Sequence, residues 1–173
     1  MWNMCHWMTD SMEVRLRLAT ADDESEIMSL YEESKQIEGC TWDEHYPCKE
    51  IFDGDIKRGA LFVLEDPKGN MIGCVSSDED IAVQSLSCWN QEMIPRAEFA
   101  RVAIKTEYQN RGLASVMIKK TIEELKLRGY KSACYLVSKH NKRALRAYAK
   151  LDFKRVGESD LFNQEWYCYE FIF

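Results

Sequence analysis

Gln109, Arg111 and Gly112 are the residues whose types and spacing could do chemistry, and they directly follow an apolar, strand-like run. The stretch from Gly112 to about Arg128 is amphipathic, so it predicts a helix whose first backbone N–H groups lack intrahelical partners. Those donors and the helix macrodipole attract anions. Glycine allows a ligand to approach closely, and Gln109 and Arg111 can add donors around a phosphate. The pattern therefore suits a pyrophosphate cradle.

A structural interpretation of the same spacing stays open. Gly112 could simply open a helix, with Gln109 and Arg111 solvated. The stretch is not a G-x-x-x-x-G-K-[ST] loop, because the lysine, the Ser/Thr and the first glycine are missing, and it is not G-x-G-x-x-G either.

The elements that must position this stretch can be read from periodicity. Alternation and short apolar runs predict strands, and 3.6-residue spacing predicts helices, in the order β-α-α-β-β-β-α-β-α-β-β. Residues 96–104 read as a strand with Glu98, Val102 and Ile104 on one face and with Phe99, Arg101 and Ala103 on the other. The strand–helix–strand portion, 96–138, predicts one parallel crossover. The fold class is therefore mixed α/β, with a mostly antiparallel central sheet and helices on both faces.

The chain organisation predicts a single domain over residues 13–173, preceded by a loosely ordered tail, 1–12. The closing run "EWYCYEFIF" reads as an exposed apolar edge strand. Such an edge can pair with a second copy, so a homodimer is a possible assembly.

Composition excludes several classes of protein. The net charge is −6, which argues against a nucleic-acid binder. No apolar run is long enough to span a bilayer. The seven cysteines are odd in number and form no C-x-x-C pair, which favours a reducing cytoplasm over a disulfide framework, and no metal site is predicted.

Two motifs resemble those of the GNAT family of N-acetyltransferases. Residues 109–114, QNRGLA, match that family's acetyl-CoA signature Q/R-x-x-G-x-G/A. Residues 141–153, NKRALRAYAKLDF, are similar to its downstream segment N-x-x-A-x-x-x-Y-x-x-x-G-F, with Asp152 in place of the usual glycine. The order of elements over 13–173 also resembles the family's fold, whereas the first twelve residues lie outside the resemblance.

The resemblance implies acetyl-CoA as co-substrate and a set of cofactor-binding residues. Backbone groups of three strand residues would hold the pantetheine arm, N–H groups around the helix start would cradle the pyrophosphate, and a further asparagine would contact the pantetheine. In that order, these residues are Val102, Ala103 and Ile104; Gln109, Asn110, Arg111, Gly112, Leu113, Ala114 and Ser115; and Asn141.

The resemblance also implies catalytic roles for Tyr148 and Glu98. Tyr148 would be the general acid that protonates the departing thiolate, although it also lies on an apolar helical stripe and could be a packing residue. Glu98 precedes the Q-x-x-G motif at the distance of the catalytic glutamate in histone acetyltransferases of the family. Glu98 is therefore the candidate base. Alternatively, Glu98 is an ion-paired carboxylate, or an ordered water chain acts as the base.

The expected activity is transfer of the acetyl group from acetyl-CoA to a primary amine by direct attack in a ternary complex. The acceptor could be a small amine, a polyamine-like cation or a peptide amine, selected by the segments 38–47 and 78–92. Trp42, Asp43, Glu44 and Tyr46 could line a pocket for a cationic amine. The alternative is a non-catalytic acyl-CoA-binding regulatory module.

Overall fold

The computed structural model describes residues 12–173, and these form one seven-stranded sheet flanked by five helices. The strands are β1 (Arg15–Leu18), β2 (Leu61–Glu65), β3 (Met71–Asp78), β4 (Arg96–Ile104), β5 (Ser132–Ser138), β6 (Lys154–Leu161) and β7 (Gln164–Ile172). The helices are α1 (Glu24–Lys35), α2 (Lys49–Lys57), α3 (Ile81–Gln84), α4 (Leu113–Leu127) and α5 (Lys142–Tyr148). The tail predicted over residues 1–12 lies outside the described part of the chain, except for Met12.

The sheet confirms the predicted fold class. Its strand order is β1-β2-β3-β4-β5-β7-β6. Within the described residues β4–β5 is the one parallel pair, and α4 makes the crossover between them. The predicted order of long elements is also correct, and the short α3 lies inside the 78–95 segment that lacked a clear period.

Helices cover the sheet on two faces. On the α4 face, Met117, Ile118 and Ile122 of α4 pack against alternate strand residues such as Phe62 and Val75. On the α2 face, apolar residues of α1 and α2 pack on Val63 and Cys74. Because both faces are covered, β2 is buried at every position and β3 at every position except Asp78, instead of alternating between buried and exposed residues.

A β-bulge in β4 overturns the regular alternation predicted for residues 96–104. Cys74 pairs with Ala103 and Ser76 pairs with Ala100, so β4 has one extra residue across this interval. Arg101 lies in the bulge with φ of 51°. Phe99 and Ala103, predicted to share a face, therefore pack in different clusters, Phe99 on the α4 face and Ala103 on the α2 face.

The strands β4 and β5 separate soon after they meet. Their register contains only Arg96–Ser132, Ala97–Ala133 and Glu98–Cys134. Beyond Glu98 and Cys134 an opening remains between the two strands, which we call the β4–β5 window. It connects the α4 face with the α2 face.

The interpretation of "EWYCYEFIF" as an exposed edge is wrong. Its strand, β7, pairs with β5 on one side and with β6 on the other, so it is internal. The edge strand on this side of the sheet is β6, whose sequence KRVGESDL is charged and whose register shifts at Arg155–Gly157. Charges and bulges are features that discourage pairing between sheet edges.

Candidate active site

A cleft of about 960 Å³ occupies the β4–β5 window and opens on both faces of the sheet. Its walls include residues 98–104 of β4 and residues 135–138 of β5. The start of α4 and one side of α5 close it on the α4 face. The segment 40–46 and the β6–β7 turn border it on the α2 face. Strand residues on both sides of the window are therefore available to a bound molecule.

The start of α4 has the geometry of an anion cradle. Gly112 precedes the helix with φ of 73°, a left-handed conformation that favours glycine, and a Cβ placed there would meet no atom within 4 Å. Val116 N–H donates to the Gly112 carbonyl, so the N–H groups of Leu113, Ala114 and Ser115 precede the first intrahelical bond. All three residues line the cleft.

Gln109 braces this loop with its side chain. Its Nε2 donates to the Ile104 carbonyl at 2.8 Å, and its Oε1 accepts from Arg143 Nη2. The side chain is thus engaged inside the protein, whereas Asn110 and Arg111 are exposed. Asn110 has φ of 60°, which asparagine tolerates better than most residues.

The short helix α5 packs beside this cradle. Ser115 Oγ donates to the Ala147 carbonyl at 3.2 Å, which ties α4 to α5. Asn141 caps the start of α5, because its Oδ1 accepts from Ala144 N–H at 2.9 Å. Its Nδ2 is not used in that bond, and Asn141 lines the cleft together with Arg143, Arg146 and Lys150.

Two tyrosines meet on the α4 face of the window. Tyr148, at the end of α5, is half-buried and lies with its ring centroid 4.9 Å from that of Tyr135. Burial raises the pKa of Tyr148 above its ordinary 10.0, which keeps the phenol protonated. Tyr135 is 4% exposed, and its hydroxyl has no hydrogen-bond partner within residues 12–173. The sequence analysis missed Tyr135 because it lies in an apolar strand run.

Glu98 lies at the other side of the window, on the α2 face. It is 8% exposed, and within the described chain its Oε2 has no hydrogen-bond partner. Burial, with a smaller contribution from Asp78 and Asp80, raises the pKa of Glu98 to about 8. The two arginines of β4 form their ion pairs with other carboxylates, since Arg96 binds Glu170 and Arg101 binds Asp55 and Asp78.

Arg101 is a buried cleft residue that sequence reasoning did not assign. It donates from Nη2 to Asp55 Oδ1 at 2.9 Å and from Nη1 to the Tyr46 hydroxyl at 2.8 Å. Its Nη1 also lies 2.8 Å from Asp78 Oδ2. The sequence signal for this network was an arginine within an apolar strand, together with an aspartate in a short amphipathic helix. This network fixes Tyr46 of the predicted substrate segment against the bulge.

Charge is divided along the cleft. Beside the cradle lie Arg143 and Arg146 of α5 and Lys150, which follows that helix, whereas Asp43, Asp78, Asp80 and Glu98 lie toward the α2 face. Arg101 and Arg58 both pair with Asp78 and offset part of this acidic group. From Glu98 to Ile104 the bulged strand spans five residue steps of its partner β3, or about 17 Å. One end of the cleft thus suits an anion and the other suits a cation.

A profile of the acetyltransferase (GNAT) family matches residues 6–153. No curated protein matches the sequence significantly. The family match begins before the predicted start of the domain at residue 13 and includes the cradle, the window and α5.

Solved structures share the fold at low sequence identity. A GNAT family acetyltransferase from Streptococcus agalactiae is 20% identical with a TM-score of 0.77, over 92% of this chain and 95% of that one. A spermidine N-acetyltransferase from Vibrio cholerae, solved with CoA and spermine, is 22% identical with a TM-score of 0.70, over 92% and 95%. The ribosomal-protein-S18-alanine N-acetyltransferase from Escherichia coli is 14% identical with a TM-score of 0.65, over 92% and 94%.

Proposed function

Because the chain belongs to the acetyltransferase (GNAT) family and is an acetyl-CoA-dependent N-acetyltransferase, we propose that it acetylates a primary amine of a cationic substrate. The division of charge along the cleft carries this proposal. Phosphates suit the α4 start and the basic side of α5. An ammonium group suits the acidic α2-face end.

The residues at the window have matching roles. Acetyl-CoA supplies a thioester carbonyl, which an unprotonated amine attacks directly. Backbone groups of Val102, Ala103 and Ile104 hold the pantetheine arm. The bulge supports this role, since the register gives Arg101 and Val102 no partner on β3. The N–H groups from Arg111 to Ser115 bind the pyrophosphate, with Gln109 and Asn110 shaping the loop and Asn141 contacting the pantetheine.

Glu98 and Tyr148 exchange protons with the reacting groups from the two faces of the sheet. Glu98 removes a proton from the ammonium group on the α2 face, and its pKa of about 8 supports this role because that value lies close to working pH. Tyr148 protonates the thiolate on the α4 face, where its raised pKa keeps it in the acid form. The six cysteines in the described chain are free thiols, which supports action in a reducing cytoplasm.

The experiment measures free-thiol release from acetyl-CoA with spermidine, a peptide amine and simple alkylamines, for wild type, Tyr148→Phe and Tyr135→Phe. General acid catalysis contributes roughly a hundredfold or more, so Tyr148→Phe loses about that factor in kcat and retains coenzyme A binding. Tyr135→Phe is the matched control, since it removes a neighbouring phenol and keeps near wild-type turnover.

Three outcomes separate the possibilities. Equal rates in Tyr148→Phe and wild type remove Tyr148 from the mechanism. Loss of turnover in Tyr135→Phe alone assigns the acid to that phenol. Wild-type protein that binds coenzyme A and acetylates no amine supports the regulatory module instead.

A further inference from the structure

The turn between β6 and β7 holds an aromatic residue in a strained conformation. Phe162 and Asn163 form this turn, with φ of 56° and 57°, and Leu161 pairs with Gln164 on either side. A two-residue hairpin turn with positive φ at both positions favours Asn-Gly. A bulky residue at positive φ is an outlier, and such strain concentrates at functional sites.

Packing does not explain the aromatic ring. Phe162 is 59% exposed, so its side chain adds little to the core. The hairpin is instead anchored by Trp166, whose Nε1 donates to the Leu161 carbonyl at 2.8 Å. The protein therefore keeps an exposed ring at a position where asparagine or glycine would be less strained.

Phe162 borders the acceptor end of the cleft. Along β7, Gln164, Trp166 and Cys168 are spaced two residues apart and so share one face of the sheet, and Cys168 packs beside Cys134. Cys134 is the register partner of Glu98, so Glu98 and Trp166 share the α2 face. Phe162, Gln164 and Trp166 all line the cleft, and the segment 40–46 borders it as well.

We propose that Phe162 determines acceptor specificity, and that its ring contacts the hydrocarbon chain of an aliphatic amine whose nitrogen reacts at the window beside Glu98. This inference rests on the proposed function. Carboxylates suit the ammonium head of such an acceptor, and the rings at the mouth of the cleft offer apolar surface to its methylene groups.

The experiment compares wild type, Phe162→Asn and Asn163→Gly in both stability and kinetics. Because asparagine tolerates positive φ, Phe162→Asn raises the melting temperature by about 3 °C. Without the ring, kcat/KM for hexylamine falls about tenfold, whereas kcat/KM for ethylamine, which has only two carbon atoms to offer the ring, changes little. The KM for acetyl-CoA stays at the wild-type value.

Asn163→Gly is the matched control. It relaxes the same turn and leaves the ring in place, so it is stabilised and keeps the preference for hexylamine. Phe162→Tyr retains the ring as well as the strain and keeps both the stability and the preference of wild type.

The results separate this inference from the proposed function. A more stable Phe162→Asn that loses its preference for hexylamine supports the specificity role. Active wild type with an unchanged hexylamine preference in Phe162→Asn overturns that role alone, as does a destabilised Phe162→Asn, which would show that the ring is structural. Wild type that acetylates no amine removes the proposed function, and this inference falls with it.

Discussion

Glu98 shows at the scale of a single residue how the fold changes ordinary chemistry. In water a glutamate ionises near 4.5, but burial and the nearby carboxylates raise the pKa of Glu98 to about 8. Sequence spacing, through the family resemblance, predicted the position of this residue. It could not predict the acidity, because the raised pKa depends mainly on burial in the folded protein and, to a smaller extent, on Asp78 and Asp80. The pairing of β3 with β4 places Asp78 opposite Glu98.

The raised pKa of Glu98 predicts a pH-dependent cost to stability. Between 4.5 and about 8 the unfolded chain releases this proton and the folded chain retains it, so wild-type stability falls as pH rises through that window. Glu98→Gln carries no such proton. We expect it to match wild type below 4.5 and to exceed it in unfolding free energy above 8 by about 2–5 kcal/mol.

Urea denaturation at both ends of this pH window checks the prediction, with exposed Glu107→Gln as the control that shows no such gain. A constant difference between Glu98→Gln and wild type across the window would contradict it. The pH–rate profile of Glu98→Gln should also move to alkaline pH, because the amine must then lose its proton without the carboxylate.

At the scale of elements, local pattern predicted which segments fold and tertiary pairing decided how they bend. The amphipathic stripe of α4 was readable from the sequence, and the helix ends near the predicted Arg128, where Gly129 follows with φ of 87°. The bulge at Arg101 was not readable, because it follows from the register between β3 and β4. The left-handed conformation of Phe162 was not readable either, because the two-residue turn Phe162–Asn163 contains no glycine.

Gly112 allows the stability and the binding functions of the α4 start to be separated. Its φ of 73° makes any side chain unfavourable there, so Gly112→Ala should lose about 1–2 kcal/mol of stability. A Cβ at this position meets no protein atom within 4 Å, so the loss of stability comes from φ alone, and the small alanine side chain should weaken coenzyme A binding less than a carboxylate does.

Gly112→Glu is expected to lose similar stability and, in addition, to weaken coenzyme A binding by tenfold or more, because it places a carboxylate beside the phosphates. Calorimetric titration of both variants distinguishes the two effects. Equal coenzyme A affinities for the alanine and glutamate variants would place the pyrophosphate elsewhere.

At the scale of the whole molecule, the sheet consists of two halves joined over a short length. Only three register pairs connect β4 with β5. Across this junction Arg96 Nε donates to Glu170 Oε1 at 3.0 Å, and both side chains are buried.

None of the helices in residues 12–173 is long and apolar enough to cross a membrane. A homodimer stays a prediction, to be checked by sedimentation, but β7 cannot provide its edge.

The Arg96–Glu170 pair should contribute strongly to stability at this junction. Glu170→Gln leaves a buried guanidinium without its counter-charge, so we expect a loss of about 3 kcal/mol in the free energy of unfolding. Glu165→Gln removes an exposed partner of Lys139 and should cost less than about 0.5 kcal/mol. Chemical denaturation of the two variants checks the difference, and equal losses would show that the junction does not depend on the pair.

The β4–β5 window has a consequence for the order in which substrates bind and products leave. If coenzyme A binds from the α4 face and the amine binds from the α2 face, the two substrates use separate entrances to the cleft. Either one can then bind or dissociate while the other is in place. The acetyl group then crosses the sheet at the point where the strands part, and the rest of both molecules stays on its own side.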